Sequence, residues 1–204
     1  MHPNAAFRWD DEAAMQAFVA ARGFATICVV APEGPIVAHA PLVVTAEGRL
    51  RFHLSRGNRA VRHLDGAVAV ASVTDADFYV SPDWYASEDQ VPTWNYLSVE
   101  VEGIVAALDE AGLAAQVEAL SDRFERTLAP KPVWTRDKMT PGRFEAMLKA
   151  IRGFELTPTA WRGTRKMGQN KHDEDRAAVV DALTAVGRLH EAGLVASRGE
   201  GSPA

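Results

Sequence analysis

Between Arg49 and Ser55 apolar and polar residues alternate strictly: Leu50, Phe52 and Leu54 take one phase, Arg51, His53 and Ser55 the other. A period of two predicts a strand with one buried face and one polar face. Upstream, Phe24–Val30 is a nearly continuous apolar run, and Ile36–Val44 follows it across the turn Pro32-Glu33-Gly34-Pro35. Ala46-Glu47-Gly48 is the next turn. Ala67–Val80 and Trp94–Leu108 predict two longer strands, the second with Tyr96, Val99, Val101, Ile104 and Val105 as its apolar content. Helical spacing appears elsewhere. Ala14, Phe18 and Arg22 share a face between the Asp10/Asp11 cap and Gly23. Leu113, Val117, Leu120, Phe124 and Leu128 recur at intervals of 4, 3, 4 and 4. A short helix fits Asn58–Leu64. Another, marked by Phe144, Met147/Leu148 and Ile151, follows the Thr140-Pro141 start signal. Phe154–Thr159 reads as a last strand. A final helix begins near Asp173, with Val179, Leu183, Val186 and His190 on one face.

The turns between the early strands are short, so those strands are antiparallel neighbours. No crossover helix separates the first three, which excludes a doubly wound parallel sheet. The expected fold is therefore mainly β with flanking helices (α+β), an antiparallel sheet closed or nearly closed into a small barrel.

Composition narrows the class. The chain has 204 residues, 47% hydrophobic and 24% charged, which suits one folded domain over 1–196, with a small polar tail at 197–204 expected to fray. No apolar run approaches the roughly 20 residues of a membrane helix. The opening MHPNAAFRWDDE has neither a basic start nor an apolar core, and the expected location is the cytoplasm. One cysteine, Cys28, excludes an intrachain disulfide and a multi-cysteine metal site; within ATICVV it reads as a buried structural thiol. The histidines lack the spacing of a helical metal site, so no metal is expected. A net charge of −5 argues against general nucleic-acid binding, the basic residues being scattered apart from Arg162, Arg165, Lys166 and Lys171.

Four segments hold candidate chemistry. In Phe52–Leu64 (FHLSRGNRAVRHL) a polar-faced strand runs through Ser55-Arg56-Gly57-Asn58 into a helix, placing hydroxyl, guanidinium and amide donors together as a phosphate cradle. The same pattern also describes a capped helix with solvated arginines. Val37-Ala38-His39-Ala40-Pro41-Leu42 puts a proline in a strand, which marks an edge or a break able to meet a planar heterocycle. Trp84-Tyr85 and Trp94-Asn95-Tyr96 bracket a polar loop with rings suited to stacking, core packing or an interface. Lys166–Lys171 (KMGQNK) carries amide side chains that can read ring edges, or caps the following helix. The acidic runs Asp10-Asp11-Glu12 and Asp173-Glu174-Asp175 read as helix N-terminal charges. No GxSxG elbow is present, so a hydrolase reading is poor.

FHLSRGNRAVRHL, FYVSPDWY (Phe78–Tyr85), VPTWNYLSVEVEG (Val91–Gly103), MLKAIRGFEL (Met147–Leu156) and KMGQNKHDEDR (Lys166–Arg176) carry, in this order, a resemblance to the PaiB-type FMN-binding negative transcriptional regulators. The resemblance spans Met1 to Leu183. It implies a split β-barrel like that of pyridoxamine-phosphate-oxidase-like flavoproteins, and a homodimer with FMN at the subunit interface. It further implies that Ser55, Arg56, Gly57 and Asn58 lie near the FMN phosphate, that His39, Ala40, Pro41 and Leu42 lie beside the ring, and that His53 belongs to the same cofactor site. Trp94, Asn95 and Tyr96 are implied at the interface, with Gln169 and Asn170 reaching the flavin. Departures are His2 where the family has tyrosine, Ser55, Gly57 and Arg59 in a run that more often reads Ala-Arg-Ala-Asn-Pro, and Gly168 where serine is common. Three functions follow: a flavin-binding regulator, an FMN-dependent oxidoreductase acting on a small molecule, or a haem-handling protein using His39, His53 or His63. Direct DNA binding would need the patch at Arg162, Arg165, Lys166 and Lys171, because no basic recognition helix is evident.

Overall fold

The structure is a computed structural model and describes residues 3–198. His2 and the part of the expected tail from 199 to 204 lie outside the described residues. The elements run in the order β1 (Arg8–Trp9), α1 (Glu12–Arg22), β2 (Phe24–Ala31), β3 (Gly34–Val44), β4 (Leu50–Ser55), α2 (Val61–Leu64), β5 (Val68–Val80), β6 (Thr93–Ala107), α3 (Glu110–Arg126), α4 (Arg143–Leu148), β7 (Ile151–Lys166), α5 (Asp173–Ala185) and α6 (Leu189–Ala196). Two compact units contain them. One comprises Gly23–Ser72 and Val101–Ala160, the other the described residues of 1–22, Val73–Glu100 and the described residues of 161–204.

The first unit is a barrel. β3 pairs antiparallel with β2 and β4, β2 with the start of β5, and β4 with the start of β7. The strand order β7-β4-β3-β2-β5-β6, with β6 returning to β7, closes the ring. Alternation decides which side chains fill it: Ile27, Val29, Ala38, Ala40, Leu42, Leu50, Phe52, Leu54, Phe154 and Leu156 are all buried. Phe52 and Phe154 are direct cross-strand partners, with ring centroids 5.6 Å apart. At the β6–β7 seam Gly103 lies so close to β7 that a Cβ there would stand 2.2 Å from the Thr157 carbonyl oxygen. The Thr159 hydroxyl donates across the same seam to the Glu102 carbonyl at 3.1 Å. α3, capped by the Asp109 carboxylate on the Gly112 N–H at 2.7 Å, packs on β3 and β4.

In the second unit β1 adds to the end of β7, Trp9 opposite Gly163. Trp9 meets Phe18 of α1 edge-on at 5.5 Å. α5 and α6 pack against each other through Val179, Leu183, Leu194 and Val195, all buried.

Several expectations are corrected. The helix expected over Asn58–Leu64 is shortened to α2, because Asn58 and Ala60 are held in a turn by the Ala60 N–H donating to Asn58 Oδ1 at 2.9 Å. Ile151 opens β7 opposite Ser55 instead of ending α4. The last helix is broken at Gly187, whose φ of +80° ends α5, and Val186 is 60% exposed instead of facing the core. Cys28 is half-buried on the outer face of β2, because Ile27 and Val29 take the inward phase. β1, two residues long, carries too little pattern to be read.

Candidate functional site

β4 presents Arg51, His53 and Ser55 on the outer face of the barrel. Arg51 donates to Glu155 of β7 at 2.6 Å, and Glu155 also meets Arg49 at 3.0 Å, so the start of this face is closed by ion pairs. His53 Nδ1 lies 3.0 Å from Gln116 Oε1 of α3. Ser55 is exposed, and the turn begins there.

Two bonds to the chain that leads into β7 hold this turn. The Arg56 N–H donates to the Ala150 carbonyl at 2.9 Å, and Arg56 Nε donates to the Lys149 carbonyl at 2.8 Å. The Asn58 N–H closes the turn on the Ser55 carbonyl at 2.8 Å. Fixing Nε orients the guanidinium while leaving its two terminal nitrogens without a protein acceptor among the described residues. Ser55, Arg56, Gly57 and Arg59 are all exposed. A Cβ at Gly57 would find only Ser55 Oγ, at 4.0 Å. Gly57 does not have a positive φ, so its value here is the open approach to its backbone. A hydroxyl, a pre-oriented guanidinium, a second arginine and an open backbone suit a phosphate dianion. α2, with only four residues, adds nothing as a helix dipole.

The β3 segment divides by phase. Ala40 and Leu42 are fully buried inside the barrel, whereas His39 is exposed and Pro41 half-buried on the outer face. His39 Nδ1 lies 3.2 Å from Thr26 Oγ1, and its ring stacks on Phe24 with centroids 6.4 Å apart and planes at 11°. Phe24 opposes Pro41 in the β2–β3 register, and Cys28 opposes Val37. Phe24, Val30, Val37 and Val68 are exposed between 48% and 77%. The outer face of β2, β3 and β5 is thus an apolar surface bearing a histidine and a proline.

The remaining predicted residues belong to the other unit. Trp94 is 55% exposed and meets Tyr79 edge-on at 6.3 Å, and Tyr96 follows it on the same strand face. Asn95 is 4% exposed and points the opposite way, among inward residues. Gln169 is spent on backbone: its Oε1 accepts from the Met167 N–H at 2.8 Å and its Nε2 donates to the Arg165 carbonyl at 2.6 Å. Gly168 has a φ of +76°, which explains why glycine suits that turn. Asn170 is exposed.

Sequence reasoning missed two features. Gln116 is 1% exposed yet polar, and its Oε1 meets His53 Nδ1. Within the barrel unit a cavity of about 700 Å³ lies beside His53, walled by α3, α4, Ile151 and the segment around Trp134. Its lining comes from positions that read separately as helix faces and loop. Among the described residues no cluster suits a metal ion, and no helix is long and apolar enough to cross a membrane.

A closed antiparallel barrel with outer helices is the split-barrel fold. Residues 1–160 match the family described as "Putative FMN-binding domain", and the chain belongs to that family as an FMN-binding protein of the PaiB type. It is similar to the protease synthase and sporulation protein PAI 2 of Bacillus subtilis, 28% identical over 170 residues and 81% of each chain. Among solved structures it resembles the FAD and heme binding protein of Mycobacterium smegmatis, with a TM-score of 0.59, 24% identity and coverage of 84% of this chain and 79% of that one. The flavocytochrome Anf3 of Azotobacter vinelandii has a TM-score of 0.56 at 17% identity, covering 87% and 78%. The cofactor is FMN.

Proposed function

We propose that the protein acts in the cytoplasm as a homodimer. In this reading Ser55, Arg56, Gly57 and Asn58, with Arg59, hold the FMN phosphate, and the flavin ring lies along β3 beside His39 and Pro41. The observation that carries this reading is the outer face of β2, β3 and β5. A patch containing Phe24, Val30, Val37 and Val68, each at least 48% exposed, is unusual for a surface left in water. A second copy laid on it would bury these side chains and provide the flat, mostly apolar slot that an isoalloxazine ring needs. Linkage then makes FMN binding and dimerisation support one another.

Of the two activities open to a PaiB-type flavoprotein, electron transfer to a small molecule is favoured over direct reading of DNA. The basic residues expected to meet DNA are engaged within the protein. Lys166 Nζ donates to the Trp94 carbonyl at 2.6 Å and also meets Thr93; Lys171 bonds Gln90 and sits 4.9 Å over Tyr85; Arg165 covers Trp9 at 5.4 Å. The flavin supplies the redox chemistry, and the chain binds and orients it. Anaerobic addition of NADH or NADPH to the yellow protein tests this: bleaching of the flavin bands is expected. A flavin that stays oxidised, together with a salt-dependent shift of operator DNA, would replace the oxidoreductase reading with the regulator.

A further inference from the structure

The cavity beside His53 is the feature that the flavin reading leaves unused. None of the residues of the Ser55–Arg59 turn or of the His39–Leu42 segment lines it. Its volume of about 700 Å³ lies within the range of small-molecule sites. Trp134, Met139, Phe144, Met147 and Ile151 make its walls largely apolar, and methionine side chains adapt to irregular ring shapes.

Two observations say that the cavity is built. First, the segment between α3 and α4 that covers it is pinned to α3. The Trp134 N–H donates to Glu125 Oε2 at 2.9 Å, Lys131 pairs with the same carboxylate, and Arg136 pairs with Glu118 at 2.6 Å while stacking over Phe144 at 5.3 Å. A pre-formed wall lowers the ordering cost of binding. Second, His53, the imidazole that lines this space, is held by a buried partner. Gln116 Oε1 takes His53 Nδ1, which leaves His53 Nε2 without a protein partner among the described residues. Gln116 Nε2 is itself buried and unpaired among the described residues. Turning that amide over exchanges its two ends without losing a bond, so His53 can present Nε2 as donor or as acceptor. The carboxylates that line the space are already matched, Glu118 by Arg136 and Asp122 by Arg126. Among the described residues that line it, a charged occupant would find no free counter-charge.

We propose that this cavity binds an uncharged aromatic small molecule that gives one polar atom to His53. It is a site separate from the flavin phosphate turn, and it draws His53 away from the cofactor contacts that the motif position implied.

Calorimetric titration of the full chain, with FMN added, tests this with two probes, 1-naphthol and naphthalene. Saturable binding of one 1-naphthol per chain is expected. Ser121→Trp, which places an indole in the space from α3, should weaken both probes roughly tenfold or more while flavin content stays unchanged. His53→Phe keeps the wall but removes the polar atom. It should weaken 1-naphthol about three- to tenfold and leave naphthalene nearly unaffected. Non-saturable uptake, or binding indifferent to Ser121→Trp, overturns the site. So does a change of oligomeric mass on Ser121→Trp, which would make this face a contact between copies. Equal losses of both probes on His53→Phe would remove the polar contact and leave only an apolar void.

Discussion

Ser87 meets the buried carboxylate of Asp175 through three contacts: its N–H donates to Oδ1 at 2.8 Å, and its hydroxyl lies 2.8 Å from Oδ1 and 2.9 Å from Oδ2. The pair ties the loop before β6 to the first turn of α5. Donation from Ser87 backbone and hydroxyl, with the nearby positive charge of Lys171, holds the carboxyl below the usual carboxylate range. A carboxyl whose folded pKa is depressed adds stability above its unfolded pKa and loses it as pH falls through the folded one. The expected outcome is a thermal midpoint that declines on acidification, with Asp175→Asn showing a shallower decline and a lower midpoint at neutral pH. Melting curves from neutral to acid pH check this; parallel declines in both proteins would contradict it.

Arg56 ties the turn after β4 to the chain before β7 and is one of the residues proposed to hold the FMN phosphate. Its Nε is fixed to the Lys149 carbonyl, so the rest of the guanidinium is aimed without further ordering cost. Arg56→Ala is expected to weaken FMN binding about tenfold or more, and Arg56→Lys to recover only part of it, since an ammonium cannot do both jobs. Because the side chain is exposed, stability should change by no more than about 0.5–1 kcal/mol. Flavin fluorescence quenching during titration of the cofactor-free protein measures the first, and thermal melting the second.

The barrel was legible because β4 alternates without a fault and its neighbours are joined by turns rich in glycine and proline. What the pattern left open was phase in strands with apolar residues on both faces. Cys28 and Val37 look like core residues when read along the chain, and only the β2–β3 register puts them opposite each other on the outer surface. An apolar outer face is what a covered sheet looks like in one dimension. The turn proposed to hold the phosphate was suggested by residue type, whereas its rigidity depends on Lys149 and Ala150, more than 90 positions away. The acidic opening of α5 read as dipole compensation, yet Asp175 is 2% exposed and serves Ser87. Long-range partners of this kind leave no local periodicity.

Val37 stands opposite Cys28 on the surface proposed as the dimer contact and is 48% exposed. Val37→Arg adds a charge where a second copy would have to desolvate it, at a cost of several kcal/mol without a partner. The single chain loses little, because the side chain points to solvent. Sedimentation of this variant should therefore give a monomer mass where the parent gives a dimer, with weaker flavin retention. A variant that remains dimeric with full flavin would move the interface elsewhere.

Two glycines separate the roles of seam and cradle. At Gly103 a methyl group would meet the Thr157 carbonyl oxygen at 2.2 Å and its carbon at 2.8 Å, and neither backbone atom can rotate away. Gly103→Ala must therefore pry β6 from β7, and a loss of about 2–4 kcal/mol in unfolding free energy is expected. At Gly57 the added methyl meets nothing closer than Ser55 Oγ at 4.0 Å, so Gly57→Ala should leave stability nearly unchanged. That open space is where the phosphate is proposed to approach the backbone, so the same substitution should weaken FMN by several-fold. Denaturant unfolding of both variants, each paired with a flavin titration, gives opposite signatures if the barrel is closed at Gly103 and the cofactor anchored at Gly57. If Gly57→Ala keeps its full affinity, the anchor must lie on other residues than this turn.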